Sequence, residues 1–136
     1  MIVVDSSAVI AIAFGESDAA EFHGALTHSE RNICSAVSFT ECAMVLIGKR
    51  GTTELQDVEE LFATLKIDTV DQPAAMSRLA AEAFVRFGKG RHPAKLNLGD
   101  CFSYALARFL NAPLLYKGDD FSRTDIASAL AAGAQP

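Results

Sequence analysis

Apolar residues along this chain alternate between short β-branched runs and longer stretches with the 3.6-residue spacing of helices. Four short runs predict strands, at Ile2–Val4, Asn32–Ser35, Ile67–Val70 and Pro113–Tyr116. A weaker fifth strand is predicted around Asp125–Ile126. The short length of these runs indicates a small sheet whose strands are buried on both faces.

Between the strand candidates, the apolar spacing predicts helices. They span Ala8–Phe14 with Ser6 and Ser7 as N-cap candidates, Asp18–His28, Ala36–Arg50, Thr53–Lys66, Gln72–Phe87, and a stretch from Asn97 to Leu110. No hairpin dipeptide such as Asn-Gly joins two strand candidates. The pattern therefore predicts the α/β class, with a short, mostly parallel central sheet and helices packed on both faces.

Composition narrows the possible classes of protein. The chain has 136 residues, half of them apolar, and a formal charge of −5, which predicts one folded domain and argues against a general nucleic-acid coating protein. Three cysteines without a C-x-x-C pair and the absence of a signal-like or membrane-spanning segment lead us to expect a reduced, cytoplasmic protein. We expect the alanine-rich tail, 127–136, to be frayed.

One segment, Gly88–Tyr104, combines opposite charges. No acid lies between Glu82 and Asp100, whereas Arg86, Lys89, Arg91 and Lys95 all fall there. Asp100 is then the only charged residue between Lys95 and Arg108. Two interpretations stay open: the carboxylate can serve the helix N-terminus together with an Asn97 cap, or it can belong to a functional site.

Other carboxylates share the apolar isolation of Asp100. Asp5 is the only charged residue among the first fifteen, Glu41 is the only one from Ala36 to Gly48, and Asp119 follows the last strand candidate. A buried carboxylate must be paired, protonated or bound to a metal. Carboxyl ends of parallel strands share one sheet edge, where several acids suit Mg²⁺ or Mn²⁺. Taken singly, each acid also has a structural explanation, as a helix cap, a turn residue or an acceptor for Ser and Thr hydroxyls.

Other chemistries are poorly supported. The three histidines lack the spacing of a zinc site, and neither a phosphate-binding G-x-x-x-x-G-K-[ST] loop nor a G-x-S-x-G elbow is present. A receiver domain would carry paired acids near its first strand, and a D-x-D phosphatase would need an acid at Ser7. The alternative from another class is a non-catalytic Mg²⁺-binding signalling module or an RNA-binding α/β module.

The order strand end, helix, helix, strand end for Asp5, Glu41, Asp100 and Asp119 resembles the acidic quartet of PIN-domain ribonucleases. The blocks IVVDSSAVIAI, SFTECAMVL, GKGRHPAKLNLGDCFSYALA and LLYKGDDF resemble those of VapC-type toxins from bacterial toxin–antitoxin pairs. The resemblance covers nearly the whole chain. It implies a single PIN domain over 1–136 with a three-layer α/β/α sandwich.

The resemblance also implies an activity and partners. These are an endoribonuclease dependent on Mg²⁺ or Mn²⁺, a homodimer, and a VapB-type antitoxin that inhibits the toxin and supplies any contact with DNA. Asp5, Glu41 and Asp100 match the family's metal ligands. Relatives often carry Thr/Ser-x-Asp at the last strand end, where Lys117-Gly118-Asp119 stands here, so Asp119 is assigned as the fourth acid, with Asp120 as the alternative. Ser7 matches a position that supports the first aspartate.

These roles explain the cationic segment. An acidic catalytic pocket repels RNA, so Lys89, Arg91 and Lys95 are expected to bind the phosphate backbone. His92 either contacts a nucleotide or is an ordinary loop histidine. The carboxylates fit metal-assisted hydrolysis. The resemblance implies that water attacks the phosphodiester and leaves a 5′-phosphate and a 3′-hydroxyl.

Overall fold

The computed structural model describes residues 1–130 and contains a four-stranded parallel sheet. Its strands are β1 (Ile2–Val4), β2 (Asn32–Ser35), β3 (Ile67–Val70) and β4 (Leu114–Leu115), in the order β3-β2-β1-β4. The chain runs outward from β1 to β3 and then returns to place β4 on the other side of β1. The chain order thus reverses between β1 and β4, which is where ligands bind in parallel sheets.

Six α-helices and one short 3₁₀ helix surround the sheet in the described part of the chain. They are α1 (Ser6–Ala13), α2 (Ala19–His28), α3 (Ala36–Lys49), α4 (Leu55–Thr64), α5 (Ala74–Phe87), α6 (Leu98–Leu110) and the 3₁₀ helix Phe121–Arg123. None of these helices is long and apolar enough to cross a membrane.

The side chains of β1 alternate between two cores. Val4 packs with apolar residues of α1 to α4, whereas Val3 packs with α5 and α6. The neighbouring strand repeats the alternation, since Cys34 faces the first core and Ile33 the second. The helices therefore cover both faces of the sheet, and the predicted three-layer α/β/α sandwich is confirmed. All three cysteines are buried and unpaired.

Several local predictions change. The N-cap of α1 is Asp5, whose Oδ2 accepts from the Ser7 amide at 3.1 Å, and Ser6 is already the first helical residue. The fifth strand at Asp125–Ile126 is wrong, because the chain turns there and only Ser128 forms an isolated bridge with Leu114. Of the expected frayed tail, positions 131–136 lie outside the described residues, and the Ala127 carbonyl accepts from the Leu114 amide at 2.9 Å.

Candidate active site

Asp5 lies at the carboxyl end of β1, and its carboxylate is held by three donors. Its side chain is 2 % exposed. Oδ2 accepts from the Ser7 hydroxyl at 2.6 Å as well as from the Ser7 amide, and Oδ1 accepts from the Ser103 hydroxyl of α6 at 2.5 Å. Asp5 is therefore the N-cap of α1, and its carboxylate is held in a fixed orientation at the edge of the sheet.

Glu41 reaches the same region from α3. Its Oε1 accepts from the Ser6 hydroxyl at 3.4 Å, and burial, reinforced by the negative charge of Asp5, raises the pKa of the Glu41 carboxyl. The carboxylate lies against the backbone of α6 at Gly99. A methyl group added to Gly99 would stand 2.0 Å from Oε1 and 2.1 Å from Oε2. Only glycine leaves room there for the observed Glu41 side chain.

Asp100 completes a group of three acids from three different elements. Its Oδ2 accepts from the Asn97 amide at 3.1 Å, and the Asn97 side chain accepts from the Asp100 amide at 2.9 Å, which forms a capping box. Burial raises the pKa of Asp100 to about 7; the charges of Asp5, Glu41 and Asp120 act in the same direction, while the Asn97 hydrogen bond opposes them. Asp100 therefore caps the helix and also lies within the electrostatic influence of the other acids.

The two acids after β4 differ in their relation to this group. The negative charge of Asp120 contributes to the raised pKa of Asp100. Asp119 and Asp120 are both exposed, and the backbone carbonyl of Asp119 accepts from the Ser122 hydroxyl at 2.6 Å. The charge of Asp120 therefore acts on Asp100, and Asp119, which the sequence pattern preferred, stays a candidate for the fourth position.

Lys117 immediately precedes the turn that carries Asp119 and Asp120, but its side chain forms ion pairs with two other acids. Its Nζ forms ion pairs with Glu16 and, at 3.3 Å, with Asp18. Its backbone amide donates to the Ser7 hydroxyl at 3.0 Å, which joins the end of β4 to the oxygen that orients Asp5. The lysine thus contributes to the architecture of the site without neutralising it.

The charge of the three acids is unbalanced. Within residues 1–130, none of Asp5, Glu41 and Asp100 takes part in a salt bridge. Carboxylate oxygens are the donors that Mg²⁺ and Mn²⁺ prefer, so the donor type and the charge fit a hard divalent cation. Over the same residues, no three His, Cys, Asp or Glu side chains are already arranged to hold an ion.

The cationic segment forms a closed loop that leads into α6, the helix that carries Asp100. The Lys89 amide donates to the Leu96 carbonyl at 2.9 Å and the Leu96 amide to the Phe87 carbonyl at 3.0 Å, which closes the base of the loop. Lys89, Arg91 and Lys95 are exposed on it. Arg123 donates to the Pro93 carbonyl at 3.1 Å and ties the loop to the 3₁₀ helix that follows Asp120. The three cations and the acidic edge are thereby connected.

His92 is mainly a structural part of this loop. Its Nδ1 accepts from the Ala94 amide at 3.0 Å, so this nitrogen carries no proton in the observed arrangement. The ring packs edge to face against Phe87, with 5.1 Å between the ring centroids.

Two residues that contribute to the site, Ser103 and Gly99, were not predicted from the sequence. Ser103 donates to Asp5, and Gly99 gives Glu41 its space. Both flank Asp100 on α6, but serine and glycine near a helix start have many ordinary uses. Helical spacing offers one signal for Ser103, because a residue three positions after Asp100 lies on the same side of the helix.

This chain resembles known proteins both in sequence and in fold. The family model described as PIN domain matches residues 2–127. Ribonuclease VapC28 of Mycobacterium tuberculosis is 41% identical over 129 residues, which cover 94% of this chain and 97% of that protein. The crystal structure of M. tuberculosis VapC20, titled a sarcin-ricin loop cleaving toxin, superposes with a TM-score of 0.72 at 16% identity, covering 93% of this chain and 97% of that one. A toxin–antitoxin complex from Klebsiella pneumoniae gives a TM-score of 0.68 at 16% identity, covering 92% and 93%.

Proposed function

This chain belongs to the PIN domain family, and on that premise we propose that it is a metal-dependent endoribonuclease that acts as the toxin of a toxin–antitoxin pair. The single observation that carries the catalytic part is the convergence of Asp5, Glu41 and Asp100 from three elements without a cationic partner among the described residues. The likeness to VapC28 along nearly the full length of both chains supports the choice of RNA as substrate.

The proposed ion, Mg²⁺ or Mn²⁺, would be held by Asp5, Glu41 and Asp100, with Asp120 favoured over Asp119 as the fourth acid. When bound, such an ion lowers the pKa of a water molecule and offsets charge on the scissile phosphate. The protein residues fix the geometry: Ser7 and Ser103 hold the Asp5 carboxylate, and the capping box holds one oxygen of Asp100 and leaves the other free. Water attacks the phosphorus, the bond to the 3′-oxygen breaks, and the products carry a 5′-phosphate and a 3′-hydroxyl.

The basic loop supplies binding energy for the RNA backbone. Lys89, Arg91 and Lys95 are exposed and unsuited to proton transfer, so they bind phosphates and do not cut. The double substitution Lys89→Ala with Arg91→Ala should weaken RNA binding and reduce the slope of log K against log salt by about 1–2. Arg78→Ala, which removes an exposed cation from α5, is the matched control and should leave the slope unchanged. An unchanged slope in the double variant would remove this role from the loop.

The proposed partners follow from the same premise. An antitoxin of the VapB type binds the toxin and blocks cleavage, and contact with DNA occurs only through it. The toxin itself is a cytoplasmic homodimer. Co-expression with a candidate antitoxin from the neighbouring reading frame, followed by co-purification, tests the pairing.

Isosteric substitutions test the catalytic assignment with little change in packing. We expect Glu41→Gln and Asp100→Asn to lower the rate of metal-dependent RNA cleavage at least about 100-fold while circular dichroism spectra stay like those of the wild type. Glu59→Ala, an exposed acid on α4, should retain full activity. Undiminished cleavage by both isosteric variants would overturn the assignment. RNA binding without any cleavage by the wild type would instead favour the non-catalytic alternative.

A further inference from the structure

Three buried serine hydroxyls form a chain of hydrogen bonds that ends on Asp5. The Ser103 hydroxyl donates to Asp5 Oδ1 at 2.5 Å and lies 3.1 Å from the Ser38 hydroxyl, which lies 3.1 Å from the Ser35 hydroxyl. The four residues are at most 2 % exposed. A buried hydroxyl is costly unless its hydrogen bonds are made, and each of these three hydroxyls has a partner.

Counting protons gives the chain a direction. An ionised carboxylate can only accept, so the single hydroxyl proton of Ser103 is committed to Asp5. Ser38 must then donate to Ser103, and Ser35 must donate to Ser38. The Ser35 oxygen accepts from the Ser38 amide at 3.0 Å, which completes its bonding. All three hydroxyl dipoles therefore point toward Asp5, and bonds aligned in this way strengthen one another.

The chain also joins the elements that carry the acids. Ser38 precedes Glu41 by three residues on α3, and Ser103 follows Asp100 by three residues on α6, so each serine lies on the same side of its helix as an acid. The contact between Ser38 and Ser103 lies where these helices meet, close to Glu41 packed on Gly99. This hydrogen bond thereby links the helix bearing Glu41 to the helix bearing Asp100.

We propose that Ser103 and Ser38 are positioning residues of the metal centre, because the hydrogen-bonded chain Ser35–Ser38–Ser103–Asp5 orients the Asp5 carboxylate and sets the spacing of the helices that carry Glu41 and Asp100. The inference rests on the proposed function, which places the ion on these acids. Groups that orient metal ligands change metal affinity or activity by about 10–100-fold when removed. Ser103 touches a ligand and Ser38 acts through Ser103, so Ser103→Ala should have the larger effect.

The test measures Mn²⁺ binding directly, by isothermal titration calorimetry of the purified chain, alongside the Mn²⁺ concentration that gives half-maximal RNA cleavage. We expect Ser103→Ala to raise the Mn²⁺ dissociation constant at least about tenfold and Ser38→Ala to raise it by a smaller factor. Ser103→Thr keeps the hydroxyl and should restore most of the affinity. Val58→Ala truncates a buried side chain of α4 and controls for a loss of stability alone. It should leave the Mn²⁺ dissociation constant unchanged.

The outcomes separate this inference from the proposed function. Absence of Mn²⁺ binding by the wild type contradicts the metal centre itself. Wild-type binding with unchanged dissociation constants in Ser103→Ala and Ser38→Ala overturns the positioning role and leaves the metal centre intact. Equal weakening by Val58→Ala would also overturn it, because stability alone would then explain the effect. If Ser103→Ala fails to fold, Ser38→Ala decides, and an unchanged constant there refutes the proposal.

Discussion

Gly99→Ala offers a way to move one acid of the site without altering its chemistry. The added methyl group would stand 2.0 to 2.2 Å from the Glu41 carboxylate, whereas ordinary contacts between such atoms are about 3.5 Å. The carboxylate must therefore shift by more than about 1 Å, which its flexible side chain allows at little cost. A displacement of that size at a reacting centre reduces rates by about 100-fold.

The free energy of unfolding of Gly99→Ala should stay the same or increase slightly, although its activity falls. Gly99 lies in the first turn of α6 without a positive φ, so alanine is compatible with its backbone. Replacing a helical glycine by alanine stabilises by up to about 1 kcal/mol. We thus expect an unfolding midpoint within a few degrees of the wild type together with a loss of cleavage comparable to that of Glu41→Ala.

Gly48→Ala provides the matched control. Gly48 lies in α3, and a methyl group added there meets nothing within 4 Å. The assay is the initial rate of cleavage of a fluorogenic RNA in Mg²⁺, with thermal unfolding of each variant in parallel. The double variant Gly99→Ala with Glu41→Ala should be no worse than Glu41→Ala alone, because both changes remove the same interaction. Wild-type activity in Gly99→Ala would refute the placement of Glu41 in the site.

Two further predictions concern the charges of the site. Without divalent metal, the folded state should hold an extra proton on Asp100 between its ordinary pKa of 3.8 and its raised pKa of about 7. The free energy of unfolding should therefore fall by on the order of 2 kcal/mol, after allowance for partial exposure, as pH rises through that window, and it should level off above it. Asp100→Asn should remove most of this fall, and the raised pKa of Glu41 accounts for the part that remains. Denaturant titrations from pH 4 to 8 in EDTA measure both proteins. In cleavage assays, Asp120→Asn should lower the rate more than Asp119→Asn does, and the reverse order would return the fourth position to Asp119.

The regular elements were largely predictable from the sequence, because their apolar spacing reflects burial. The predicted bounds of β2 and β3 match the structure, and the capping box of Asn97 with Asp100 follows from local spacing. The cap of α1 was assigned to Ser6 and Ser7, although a capping role for Asp5 was the alternative explanation of that acid, and the structure shows Asp5 as the cap. A capping carboxylate can keep free lone pairs, so its two roles are compatible.

Contacts between segments that are far apart in the sequence could not be predicted from local sequence patterns. Ser103 and Asp5 are 98 positions apart, and only the packing of α6 against β1 brings them together. Gly99 matters because α3 passes close to it, which periodicity does not reveal. The choice between Asp119 and Asp120 depends on the turn after β4, where Gly118 adopts a φ of +95° and redirects the chain. Apolar spacing gives no information about such a turn.

We propose that three carboxylates of this chain, Asp5, Glu41 and Asp100, cut RNA with the help of a divalent ion. The most direct measurement is the cleavage rate of end-labelled single-stranded RNA by the metal-free chain as Mg²⁺ or Mn²⁺ is added back, for the wild type and for Glu41→Gln. We predict no cleavage in EDTA, recovery with added ion in the wild type, products with 5′-phosphates, and at least about 100-fold slower cleavage in the variant. Cleavage that persists in EDTA, or equal rates for both proteins at every ion concentration, would contradict the account.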